Sequence, residues 1–127
     1  MPKEAIHTAA GPLQGAPYTP AVKLGNLVFV SGQIPLDPGT KKVVDGGFEA
    51  QVRQVFSNLS SLLEQGGLGL NSIVKTTVFL SDMNNFAELN RVYGEYFSGV
   101  RPARSCVQAA RLPLDVLVEI EAIAAAE

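Results

Sequence analysis

Two stretches of this chain carry apolar residues at helical spacing, and each lies between segments that are apolar without that period. Phe48, Val52, Val55, Phe56, Leu59, Leu62 and Leu63 recur at threes and fours and make one stripe, which Gly66-Gly67 brings to an end. A second stripe, Phe86, Leu89, Val92, Tyr93, Tyr96 and Phe97, runs to about Ser98 and stops at Gly99. Asn85 with Glu88 three residues on has the spacing of a capping box for that helix. Around these two, Leu27 to Ser31 follows a Gly25-Asn26 turn and is apolar on both faces, while Ser72 to Leu80 is rich in β-branched residues. Residues 103 to 109 and 115 to 123 also have strand composition. The order strands, helix, strand, helix, strand, strand predicts an α+β fold, a mixed β-sheet with two helices packed on one face. Two helices cannot cover the apolar strand surface of Leu27 to Val30, Val74, Val78, Leu80, Val116 to Val118 and Ile120. Uncovered apolar patches of that size mark interfaces, so a homo-oligomer is expected.

The 127 residues suit one domain spanning 1–127, without repeats or linker. A net charge of -2 supplies no clustered basic footprint, so no nucleic-acid partner is expected. The single cysteine excludes an internal disulfide, and no apolar run marks a signal peptide or membrane span, so a cytoplasmic protein with no membrane partner is expected. One Cys, one His, no phosphate-binding loop and no Gly-x-Gly-x-x-Gly opening a helix give no metal and no cofactor signal.

Residues 8 to 20, rich in Gly, Pro, Ala and Thr, read as a loop leading into residues 21 to 24, and Tyr18 within it reads most simply as a surface ring packed on the sheet. Ser31-Gly32-Gln33 breaks an apolar run; a hydroxyl and a glycine there permit close approach of a ligand, and a bulge explains them equally well. Residues 35 to 47 form a loop around a short strand at Val43-Val44. Gln51, Arg53, Gln54 and Ser57 lie off the first helical stripe and read as a solvated face. Lys75 and Thr77 share one strand face, and Asn90 lies off the second stripe, facing solvent.

The stretch 101 to 121 holds the chemistry. Pro113 favours a turn between the last two strands, which predicts a hairpin. Alternation puts Arg104, Cys106 and Gln108 on one face of the first strand and Glu119 and Glu121 on one face of the second. A symmetric hairpin sets Arg104 against Glu121 and Cys106 against Glu119. Three readings compete: an exposed Arg/Glu ladder, a nucleophilic Cys106, and an anion site in which Arg104 forks onto a carboxylate while a Glu handles a proton or water. The one His, His7, is remote, which weakens the second. In the third, Glu121 is also a structural partner for Arg104 or Arg111.

Pro102-Ala103-Arg104-Ser105-Cys106-Val107, followed after the turn by Val118-Glu119-Ile120-Glu121, resembles the signature of the Rid family, also called YjgF. Val30-Ser31-Gly32-Gln33-Ile34-Pro35 and Ile73 to Leu80 resemble it in the same order, so the likeness spans almost the whole chain. The resemblance implies the fold of the bacterial chorismate mutase type and a trimer with a central β-barrel whose sites lie in clefts between subunits. It implies cofactor-independent hydrolysis of short 2-imino acids and their 2-enamino tautomers, such as 2-iminopropanoate and 2-iminobutanoate, to 2-oxo acids and ammonia. Arg104 then anchors the carboxylate, Glu119 handles the water and Cys106 lines the pocket, where related members carry Ala. Tyr18, Ser31, Gly32 and Asn90 complete the substrate site, with Tyr18, Ser31 and Asn90 reaching in from the neighbouring subunit; Ala16-Pro17-Tyr18 departs from the more common Gly-Pro-Tyr. Two other classes remain: a noncatalytic binder of small carboxylates, and a chaperone or translation inhibitor on the same fold.

Overall fold

Gly25 and Asn26 close a two-residue hairpin between β2 (Ala21–Leu24) and β3 (Leu27–Gln33), with Gly25 at φ 60°, a conformation that L side chains rarely adopt. In the computed structural model, which describes residues 1–8 and 11–127, this hairpin belongs to a six-stranded mixed sheet. The strand order is β1-β2-β3-β6-β4-β5, where β1 is Glu4–Ile6, β4 Ile73–Leu80, β5 Ala103–Gln108 and β6 Val118–Ala125. Helices α1 (Gly47–Gln65) and α2 (Phe86–Gly94) cover one face. The α+β architecture is the one the apolar periods predict. Strand β1 was not expected, because three residues are too few to show a period.

The core lies between the helices and the sheet. Val52, Val55, Phe56, Leu59 and Leu63 of α1 and Leu89 and Val92 of α2 meet Val28, Val78, Leu80, Val118 and Ile120, all essentially sealed from solvent. Gly67, at φ 75°, turns the chain out of α1, and the Leu68 N–H returns to the Leu63 carbonyl at 2.9 Å. Three local expectations fail. Asn85 makes no side-chain cap; instead Asp82 accepts from the Asn84 N–H at 2.8 Å and secures the turn before α2. Helix α2 also ends at Gly94, short of Ser98; Tyr96 and the buried Phe97 extend its apolar side from a turn. Gln51, expected on a solvated face, is buried, and its Oε1 accepts from the Leu117 N–H at 2.8 Å as the chain enters β6. The short strand at Val43-Val44 is a single bridge from Val43 to Leu36. The described part of the 8 to 20 loop is irregular around one 3-10 turn, Leu13–Gly15; residues 9 and 10 of that expectation lie outside the described residues.

The largest correction concerns the last two strands. They do not form a hairpin: β4 lies between them, parallel to β5 and antiparallel to β6. Residues 109 to 117 carry the chain over the end of β4, a connection too long for a tight hairpin and long enough to cross one strand. Strand β6 gains from the central place because Val118, Ile120, Ala122 and Ala124 are then all buried beneath the helices, which an edge hairpin would not do for every one. The crossing holds Leu114 and Asp115 at φ 54° and 56°, with the Arg111 Nε on the Asp115 carboxylate at 2.7 Å. Arg111 therefore pairs with Asp115, and neither it nor Arg104 pairs with Glu121 among the described residues.

Candidate functional site

Pairing fixes which side of the sheet each residue of the last strands faces. Arg104 sits beside Thr76 and Cys106 beside Val78, both under the helices, whereas Glu119 sits beside Phe79 and Glu121 beside Thr77 on the opposite, open face. The expected oppositions, Arg104 to Glu121 and Cys106 to Glu119, are therefore overturned. Arg104 and Glu119 lie on opposite faces, two strands apart, about 10 Å laterally. The candidate residues fall into two half-sites.

The first half-site is built where β5 passes beneath α2. The Arg104 guanidinium carbon lies 4.9 Å from the centroid of the Tyr93 ring and 5.5 Å from that of Phe86. Phe86, Asn90 and Tyr93 stand at i, i+4 and i+7 on α2, so Asn90 shares the face that meets Arg104. That groups Asn90 with Arg104, and not with Tyr18 and Ser31 as expected. Among the described residues no carboxylate comes within 4.0 Å of Arg104, so its fork of donors is not neutralised from within the chain. Cys106, half-buried next along β5, has its thiol pushed up by burial, against a smaller lowering by Arg104. A thiol shifted in that direction is less available as the thiolate that a nucleophilic role needs.

The second half-site gathers Tyr18, Ser31, Gly32 and Glu119. The Ser31 hydroxyl donates to the Thr19 carbonyl at 2.7 Å, and the Leu13 N–H donates to the Tyr18 hydroxyl at 2.6 Å, so the loop ahead of β2 is tied to the end of β3. The β3–β6 register slips between Val30 and Gln33, as the bulge reading anticipated. Gly32 also has the second use foreseen for it, close approach, but the approaching group is the Glu119 carboxylate: a Cβ on Gly32 would collide with it. Burial, and then the neighbouring Glu121, raise the Glu119 carboxyl above its ordinary value, the direction that makes a carboxylate a better proton acceptor. Tyr18 and Gly32 open, with Leu13, Gln33, Asp37 and Asn58, onto a cavity of about 650 Å³. Arg104, Cys106 and Glu119 are not in its lining.

Sequence reasoning missed Phe86 and Tyr93. Their period marks core, and Tyr93 is core; that the same rings also receive Arg104 follows from the parallel pairing of β5, which has no local signal. Among the described residues no cluster of His, Cys, Asp and Glu is arranged to hold a metal ion, and no helix is long and apolar enough to cross a membrane.

A family model described as Endoribonuclease L-PSP matches residues 8–126. The chain belongs to the Rid family, also called YjgF. A RutC family protein of Pyrococcus abyssi is 49% identical over 124 residues, 98% of this chain and 98% of that protein. The crystal structure of RidA from the Antarctic bacterium Psychrobacter sp. superposes with a TM-score of 0.91 at 42% identity, covering 97% of this chain and 99% of the other. The YjgF gene product of E. coli gives 0.89 at 44%, covering 98% and 99%. The Rid fold expected from the motifs, a mixed sheet with two helices on one face, is thus the observed one.

Proposed function

We propose that this Rid family chain hydrolyses short 2-imino acids and their enamine tautomers, 2-iminopropanoate and 2-iminobutanoate among them, to 2-oxo acids and ammonia. The observation that carries the reading is the un-neutralised Arg104 guanidinium held on two aromatic rings at a sheet edge. A planar fork fixes both oxygens of a carboxylate and therefore the plane of the adjoining C=N bond. Water then adds to the imine carbon; Glu119 accepts its proton, the nitrogen is protonated, and collapse of the carbinolamine breaks the C–N bond and releases ammonia. The atoms balance with water as the only co-reactant. Arg104 and Glu119 are the catalytic pair, and Tyr18, Ser31, Gly32, Asn90 and Cys106 shape the pocket.

The two half-sites face away from each other in one chain, which supports a site completed between copies. The open face carries Phe29 (42% exposed), Val107 (45%) and the partly covered Phe79, an apolar surface suited to a second copy. A homotrimer with one cleft at each contact unites each Arg104 with a neighbour's Glu119.

The test couples an amino-acid oxidase, which makes the imino acid, to semicarbazide, which traps it. Added protein should suppress semicarbazone formation, and Arg104→Ala should not. A protein that binds 2-oxobutanoate yet leaves the trapping rate unchanged would be a carboxylate-binding protein instead. Suppression unaffected by Arg104→Ala would sink the anchor.

A further inference from the structure

Thr76 and Gln51 are the buried polar side chains of the described residues. Gln51 satisfies a backbone N–H, which accounts for it. Thr76 is fully enclosed, and its hydroxyl meets only that of Tyr93, at 2.7 Å, with no loop or backbone group served by the pair. A Val and a Phe would fill the same volume without two hydroxyls to desolvate, so the pair needs another reason. Its position supplies one: Thr76 is the direct cross-strand neighbour of Arg104, and the Tyr93 ring whose hydroxyl it holds is the nearer of the two rings against the guanidinium. That ring is held on its other sides by the edges of Phe56, at 5.7 Å and 70°, and Phe97, at 4.9 Å and 45°.

We infer that Thr76 and Tyr93 are positioning residues: their buried hydrogen bond fixes the Tyr93 ring as a platform that sets the orientation of the Arg104 guanidinium for a carboxylate. A long arginine side chain is costly to hold in one rotamer, and a carboxylate partner would hold it only by consuming the charge the ligand needs. A fixed ring face restrains the fork and leaves its N–H donors free. The inference rests on Arg104 being the carboxylate anchor of the proposed reaction, but does not require hydrolysis.

The experiment compares wild type with Thr76→Val, Tyr93→Phe, the Thr76→Val/Tyr93→Phe double variant and the conservative Thr76→Ser, reading Tm and the Kd of 2-oxobutanoate by calorimetry. Each of the first two single variants strands one buried hydroxyl and lowers Tm; the double variant removes both and recovers it. The positioning role predicts that the double variant, although its Tm recovers, still binds about tenfold more weakly, through a loosened bidentate fit. Thr76→Ser retains the hydroxyl and should bind as wild type whatever its Tm, which keeps the test decisive if the double variant fails to fold. Wild-type affinity in a folded double variant, or loss of affinity in folded Thr76→Ser equal to that in Thr76→Val, overturns the role. If wild type binds 2-oxobutanoate with this pattern but hydrolyses no imine, the deaminase reading alone falls. No binding by wild type overturns the anchor and the platform together.

Discussion

The two faces of the sheet solve opposite problems with the same strands. Under the helices, Val78, Leu80, Val118 and Ile120 are sealed within one chain, and Arg104 rests there on aromatic rings. On the open face the apolar residues are left half-covered: Phe29, Ile123 and Phe79 surround a polar island in which the Lys75 Nζ reaches the Ser105 hydroxyl at 3.4 Å and the Thr77 hydroxyl at 3.5 Å, beside Glu121. One face is covered by the chain's own helices, and the other is not covered within the chain. The proposed catalytic pair is divided the same way, with Arg104 on the helix-covered face and Glu119 on the open one. Charge is tolerated on each for a different reason: π-faces hold the cation, and a glycine without a side chain makes room for the anion.

The largest effect should come from separating and recombining the halves. Arg104→Ala and Glu119→Gln should each lower kcat/KM for an imino acid on the order of 100-fold or more, the first by losing a bidentate charge-assisted contact and the second by losing the proton acceptor. When the two variants are unfolded, mixed and refolded, roughly a quarter of wild-type activity should return if each cleft draws one half from each of two copies at random. No recovery in a mixture shown to have exchanged subunits would mean that a cleft uses one chain alone.

Next in size is truncation of matched rings on the two faces. Phe56→Ala, in the sealed core, should cost about 3 to 5 kcal/mol in urea unfolding. Phe29→Ala, on a face 42% open at that residue, should leave each chain folded and appear instead in sedimentation, as assembly at higher concentration than wild type. An assembly indifferent to Phe29 would remove the open face as the contact surface.

A smaller, pH-dependent effect follows from Glu119. Its folded pKa is raised above 4.5, by burial first and Glu121 second, so its favourable contribution is complete below the unfolded value and is lost as pH rises through the folded one. Glu119→Gln should therefore gain stability on wild type in denaturant melts as pH rises from below 4.5 toward neutrality. The opposite trend would mean that the neighbour's Arg104, brought into the proposed cleft, outweighs burial at this carboxylate. The smallest effect belongs to the exposed Arg111–Asp115 pair: Asp115→Asn should leave Tm within replicate scatter and activity unchanged, because an exposed pair in water contributes little.

Most elements were readable because their signals are local. The 3.6-residue stripe of Phe48 to Leu63, the β-branched run into Leu80 and the Gly25-Asn26 turn each specify an element within a single short stretch of chain. The candidate site was legible only as a set of residues. Arg104, Glu119, Tyr18, Ser31, Gly32, Asn90 and Cys106 were named from motifs, but their grouping was not. Alternation gives each strand its own two faces; it does not say which face turns toward the helices or which strand lies alongside. Gln51 and Thr76 show the same limit, since a polar residue within a helix or strand looks solvated until the group it satisfies is known.

By itself the sequence determined the kinds of elements, their order, the apolar surplus that two helices cannot hide and the residue types, Arg104 and Glu119 among them, from which a carboxylate site is proposed. Tertiary structure decided that β4 separates the last two strands, that Arg104 looks toward Tyr93 and Glu119 away from it, and hence that the halves of the site point apart. The physical reason is that periodicity is set by backbone geometry over a few residues, whereas strand neighbours are chosen by burial summed over the whole sheet. Strand β6 lies at the centre because four of its residues are sealed there, and that choice, made far from Arg104, placed the charges on opposite faces.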